Sequence, residues 1–172
     1  ARAIEDLLSD LGFDTTVSTD RDARRLARDM EFFLEDAEGA DVAFVFYAGH
    51  GIEAGGENFL VPVDADLTAL DAAAERLVPV SDFLDRLRDT VPVAIIMLDA
   101  CRDNPFPEGA LVKVEPDGEP VPIGTEGLGE TRGAARLVED EPDIESFGAV
   151  VAFAAEPGHA ALDGEPGGNS PY

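Results

Sequence analysis

Cysteine is almost missing from this sequence: 172 residues contain one thiol, Cys101. One cysteine excludes an internal disulfide framework and any cysteine-rich zinc site. It fits a reducing compartment, so a cytoplasmic location is the expectation. Histidine is nearly as scarce, with only His50 and His159 as further soft ligands. No apolar run reaches the ~18 residues that a membrane span needs. The first residues also lack the basic, apolar and small order of a secretory signal. Gly55-Gly56 fits neither a phosphate loop nor a dinucleotide fingerprint, so no nucleotide cofactor is expected. No internal repeat is found. Lysine occurs once, at Lys113, against eleven arginines, a bias that points to a GC-rich genome and to no particular chemistry.

Positive charge is short overall, with 12 basic against 37 acidic residues and a formal net charge of −25. Such a surface repels nucleic-acid phosphate and anionic membranes, so neither is expected as a partner. It attracts cationic ligands at low salt; a solubility or high-salt adaptation explains the same numbers. What is present is apolar content: 45% hydrophobic residues suit one domain with a true core, taken as residues 1–172.

Ile4, Leu7, Leu8 and Leu11 recur at helical spacing, and Gly12 stops that helix. Phe13 to Ser18 reads as a short strand. A second helix, capped by Thr19 or Asp20, runs to about Glu38 with Leu26, Met30, Phe33 and Leu34 on one face. Asp41 to Tyr47 is apolar enough for a strand covered on both sides. "IEAGGENFLVPVDA" reads as a hairpin turning at Gly55-Gly56. Ser81 caps a helix to about Arg88, Val93 to Leu98 is a second buried strand, and "FGAVVAFAA" is a last one. Residues 104–146 are rich in Pro, Gly and Glu without sustained periodicity, which predicts a mobile acidic insertion. Helices alternating with buried strands imply an α/β fold with a mostly parallel sheet.

Two strand ends carry the chemistry. One is followed by "AGHG", the other by "DACRD", which sets His50 and Cys101 each three residues past its strand. If the strands are parallel neighbours, both residues share the rim where open α/β sheets place ligands. A free thiol has a pKa near 8.5, and an adjacent imidazole can take its proton and later protonate a leaving amine. The plain alternatives are a small buried cysteine at a strand end and an ordinary loop histidine. Their equivalent placement favours the paired reading.

"FVFYAGHG" and "IIMLDACRDNPF", with His50 and Cys101 51 positions apart, resemble the caspase-like cysteine peptidases, in particular the bacterial orthocaspases and the metacaspases. An interval of about 50 residues between His and Cys is itself a documented caspase feature. "GGENFLVPVDA" resembles the segment after the catalytic His, and "AALDGEPGGNSPY" the closing loop of the large subunit. The resemblance implies a caspase-haemoglobinase fold that lacks, in this stretch, the first strand and the small-subunit strands. It therefore implies a fragment or a processed large subunit, with a small-subunit segment or chain as partner to complete the sheet. It implies His50 as general base and acid, Cys101 as nucleophile, and the backbone N–H groups of Gly51 and Cys101 as oxyanion hole. Asp99 stands where caspases carry Gln, and a carboxylate there belongs to the metacaspase pattern of cleavage after Arg or Lys. The alternative for Asp99 is a bond to local backbone. Metacaspases often have Ser where this chain has Ala48.

An enzyme of that preference could cleave itself at Arg132 or Arg136, in "GETRGAARLVEDEPD". Asp64, Asp66 and Asp71 raise calcium as a cofactor, although the loop lacks the central Gly and closing Glu of an EF-hand; a solvated acidic loop is the other reading, and otherwise no cofactor or metal is expected. Asp103 has no assigned role, and His159 reads as a loop residue before it reads as a second base. The function expected is peptide hydrolysis. The competing classes are a non-catalytic caspase-homologous scaffold, which usually loses the Cys or the His, and a flavodoxin-like ligand binder.

Overall fold

The computed structural model describes residues 2–66, 76–101, 105–114, 118–123 and 149–153. In chain order it contains α1 (Arg2–Asp10), α2 (Ala23–Asp36), β1 (Val42–Ala54), β2 (Glu57–Val61), β3 (Val78–Pro79), α3 (Ser81–Thr90), β4 (Val93–Cys101), β5 (Leu111–Val112), β6 (Val121–Pro122) and β7 (Ala149–Phe153). Five strands form one sheet in the order β3-β2-β1-β4-β7. β1, β4 and β7 run parallel, while β2 and β3 pair antiparallel beyond them. The parallel half is the part expected from alternating helices and strands. The antiparallel half is the hairpin folding back on the end of β1, through a turn in which Gly55 and Gly56 take φ of 60° and 84°.

One face of the sheet carries the main core. Ala94, Ile96, Leu98 and Ala100 alternate along β4 and are buried with Ala43 of β1 beneath Leu34 of α2 and Phe83, Leu84 and Leu87 of α3. Fully burying a side chain such as Leu87 or Ile96 contributes roughly 1.5–3 kcal/mol over leaving it in water. The α2 and α3 helices meet at the Phe33 and Phe83 rings, 6.3 Å between centroids, and at an outer ion pair. There Arg86 grips Glu31 with both nitrogens at 2.5 and 2.7 Å and holds its carboxyl below the usual range.

Helix starts differ from the sequence expectation. Asp22, not Thr19 or Asp20, caps α2, its Oδ1 accepting from Arg25 N at 2.8 Å. Ser81 is the first residue of α3 and not its cap. The backbone N–H groups of buried Val80 and exposed Ser81 instead donate to Glu57 Oε1 of β2, at 3.2 and 3.1 Å, and the Val80 N–H is shared with the Asn58 carbonyl at 3.0 Å. A carboxylate brought in by tertiary structure replaces the local cap.

The other face is covered less completely, contrary to the reading of β1 as buried on both sides. Val42, Phe44 and Phe46 are half-buried there and, with Ile4 and Leu8 of α1 and residues 13–18, line a cavity of about 280 Å³. Leu7 and Leu11, expected on the buried stripe of α1, are 55% and 68% exposed. The Phe13–Ser18 strand is a correction: the segment forms no ladder with any described strand. Along residues 42–49, β1 is paired only on its β4 side among the described residues.

The insertion also starts more ordered than its composition predicts. Phe106, Ala110, Val112 and Ile123 are buried with Ile52, Ala54, Phe59 and Leu77 in a second core, stitched by the β5–β6 pair. Four scattered apolar side chains, without periodicity, fasten residues 105–114 and 118–123 to the hairpin. Residues 124–146 lie outside the described residues. No helix among the described residues is long and apolar enough to cross a membrane.

Candidate active site

The parallel register of β1 and β4 runs without a break to its last pair. Ala48 lies opposite Asp99, Gly49 opposite Ala100, and His50 opposite Cys101. Neighbouring strands are about 4.8 Å apart, so the two backbones at His50 and Cys101 are one strand step apart. The sequence reading set both residues in loops beyond their strands. Instead the ladder extends through them, since β1 continues straight into the β2 hairpin and carries β4 along.

Paired positions share pleat parity, which groups positions 48, 50, 99 and 101 on one face and 47, 49, 98 and 100 on the other. The first group opens at the rim: Ala48 and His50 are exposed and Asp99 is half-buried. Asp99 precedes Cys101 by two residues, a rise of about 6.6 Å along the strand. A carboxylate one such step from a thiol position suits a cation held just before the reacting carbonyl. Gly51, next to His50, is buried within the β1–β2 ladder opposite Leu60.

Residues 1–172 match a family model described as the caspase domain. The chain belongs to the caspase-domain family. Among curated proteins, none matches it. As a caspase domain it is a cysteine peptidase in general chemistry, a hydrolase of peptide bonds, with the α/β architecture of the caspase-haemoglobinase fold. The 280 Å³ cavity beneath α1 is not the candidate active site of this caspase domain, because it borders the first half of β1 and contains neither His50 nor Asp99.

The structure adds a group that sequence reasoning missed. Tyr47 Oη donates to the backbone oxygen of His50 at 2.8 Å. Burial pushes this phenol up to about 12, against a smaller opposing effect of a hydrogen bond from the Val61 backbone. The only signal in the sequence was an aromatic residue just ahead of the Ala-Gly-His step.

Asp64, also raised by the sequence, is engaged elsewhere. Asp64 Oδ1 accepts from Ala23 N at 2.9 Å, and its carboxylate lies 3.9 Å from Arg76, so it latches the loop after β2 to α2. No group of three acidic, His or Cys side chains able to hold a metal ion occurs among the described residues. Asp71, Asp103, Arg132, Arg136 and His159 lie outside the described residues.

Proposed function

We propose that this caspase domain is a cysteine endopeptidase of the metacaspase and orthocaspase kind, cutting after Arg or Lys. The observation that carries the reading is the shared register of His50 and Cys101 on adjacent parallel strands, inside a family of cysteine peptidases. In this mechanism His50 takes the Cys101 proton, and the thiolate sulfur attacks the scissile carbonyl carbon. Backbone N–H groups of Gly51 and Cys101 receive the oxyanion. The tetrahedral adduct collapses, the C–N bond breaks, and His50 returns its proton to the leaving amine. Water, deprotonated by His50, then attacks the thioester and releases the acid product and the free thiol. Asp99 holds the substrate guanidinium or ammonium through charge-assisted hydrogen bonds.

This chemistry needs no cofactor; calcium, if it acts, acts on the loop holding Asp64 and Asp66. Along residues 42–49, β1 has a partner on its β4 side alone among the described residues, and this with the exposed Leu7 and Leu11 supports a further polypeptide segment as partner that completes the sheet. Arg132 and Arg136 are the candidate self-processing sites, and the cytoplasm is the proposed location.

The deciding measurement compares fluorogenic peptides ending in Arg and in Asp, with and without calcium chelator, for the wild type, Cys101→Ala and His50→Ala. Hydrolysis of the Arg peptide alone, lost in both variants, is the expected result. Hydrolysis after Asp only would overturn the assignment of Asp99, and turnover by Cys101→Ala would overturn the mechanism. Mass analysis of the same preparations is expected to show cleavage after Arg132 or Arg136 in the wild type and none in Cys101→Ala.

A further inference from the structure

Tyr47 sits three residues before His50 on β1, yet its parity sends it to the opposite face, where it packs against the core formed by α2 and α3. From there its hydroxyl reaches the His50 carbonyl oxygen at 2.8 Å and is also hydrogen-bonded by the Val61 backbone. His50 and Val61 are register partners, the pair at which β2 parts from β1. One hydroxyl thus ties the two strands together at the residue that carries the imidazole.

The path of the ring explains Gly49. A Cβ at this position would lie 2.6 Å from Tyr47 Oη and 2.8 Å from Cζ, well inside contact distance. Gly49 has no positive φ, so what this site needs from glycine is room for the ring. Any side chain there would displace the hydroxyl from the His50 carbonyl. Tyr47, Gly49 and His50 form a unit in which an anchored ring crosses a bare backbone to hold the next residue's main chain.

We propose that Tyr47 is a positioning residue, which fixes the backbone of His50 so that the imidazole stays aligned with the register position of Cys101. The proposal rests on the reading of His50 as the catalytic base. An exposed histidine on a strand that has just left its core neighbours gains its direction from its own Cα, and a shift of about 1 Å at a reacting group is enough to cost on the order of a hundredfold in rate. The clamp itself does not touch substrate.

The test uses Tyr47→Phe, which removes the hydroxyl alone, and Gly49→Ala, which keeps the hydroxyl and pushes it away. Rates are expressed per reactive thiol, titrated with a thiol-directed peptide probe, so unfolded protein does not count. Both variants are expected to lose about tenfold or more in kcat with KM within about twofold of wild type. Because Cys101 is the only thiol, the pH dependence of its alkylation reads the thiol–imidazole pair directly. In both variants this dependence should move toward that of a free thiol. A wild-type kcat and alkylation profile in either variant would overturn the clamp while leaving the peptidase reading intact. Failure of that reading shows separately, as activity that survives His50→Ala.

Discussion

At the scale of single residues, Asp99 carries the largest commitment. It is half-buried, two positions before Cys101, and paired in register with Ala48, whose methyl group offers no hydrogen bond to a substrate cation. On the proposed reading, selectivity for Arg over uncharged residues would then come chiefly from one carboxylate. Hydrogen bonds to charged groups are worth ~1.5–3 kcal/mol, and ~1.4 kcal/mol is a factor of ten in rate. Asp99→Asn is therefore expected to lower kcat/KM for an Arg-terminated peptide roughly 10- to 100-fold, mainly through KM. A matched Gln-terminated peptide should be nearly unaffected. Equal losses on both peptides would show that Asp99 supports the strand end and does not read the substrate.

At the scale of elements, the link between β2 and α3 shows where local sequence stops deciding structure. The α3 helix starts without a side-chain cap of its own, and Glu57, more than twenty residues earlier, accepts from its first N–H groups. Glu57→Ala leaves the Ser81 N–H to water and the Val80 N–H to the Asn58 carbonyl alone, and should cost about 0.5–2 kcal/mol, as other lost caps do. Urea denaturation would check this, with Glu57→Gln expected to fall between the variant and the wild type. An unchanged midpoint in Glu57→Ala would mean that solvent at Ser81 and the Asn58 carbonyl at Val80 serve these N–H groups as well. The same contrast runs through the fold. Leu26, Met30, Phe33 and Leu34 announced the inner face of α2 by their spacing, and Val93 to Leu98 announced β4 by its unbroken apolar run. The "GHG" and "DAC" segments read as loops because strand patterning ends where polar and small residues begin. Pairing between β1 and β4 carried the ladder onward through His50 and Cys101 regardless. Phe13–Ser18 had strand-like composition, but a strand exists only with a hydrogen-bonding neighbour. Residues 105–123 had loop-like composition, but Phe106, Val112 and Ile123 found a core to join. The placement of His50 and Cys101 at neighbouring strand ends was legible from residue type and spacing, whereas the Tyr47 contact was visible only once the ring's path across Gly49 was known.

At the scale of the whole molecule, the charge of −25 bears on folding and, on the proposed reading, on substrate capture in the opposite sense. Like charges crowded on a compact surface repel one another and weaken the folded state. On the proposed reading, the same field would draw a cationic peptide toward the rim where Asp99 and His50 lie and raise the encounter rate. Salt screens both effects, since the Debye length falls from ~10 Å at 0.1 M to ~3 Å at 1 M. Raising sodium chloride across that range should therefore raise Tm, by roughly 2–4 °C for each kcal/mol of repulsion removed in a domain of this size. Over the same range kcat/KM for an Arg peptide should fall severalfold, while that for an uncharged peptide stays level. Opposite slopes would assign the acidic surface both to self-repulsion and to steering. A rising Tm with a flat Arg-peptide rate would leave adaptation to salt as its role and remove capture of cations from the account. If neither quantity moved, the charges would be too well dispersed for the field to matter, and Asp99 alone would have to supply the attraction.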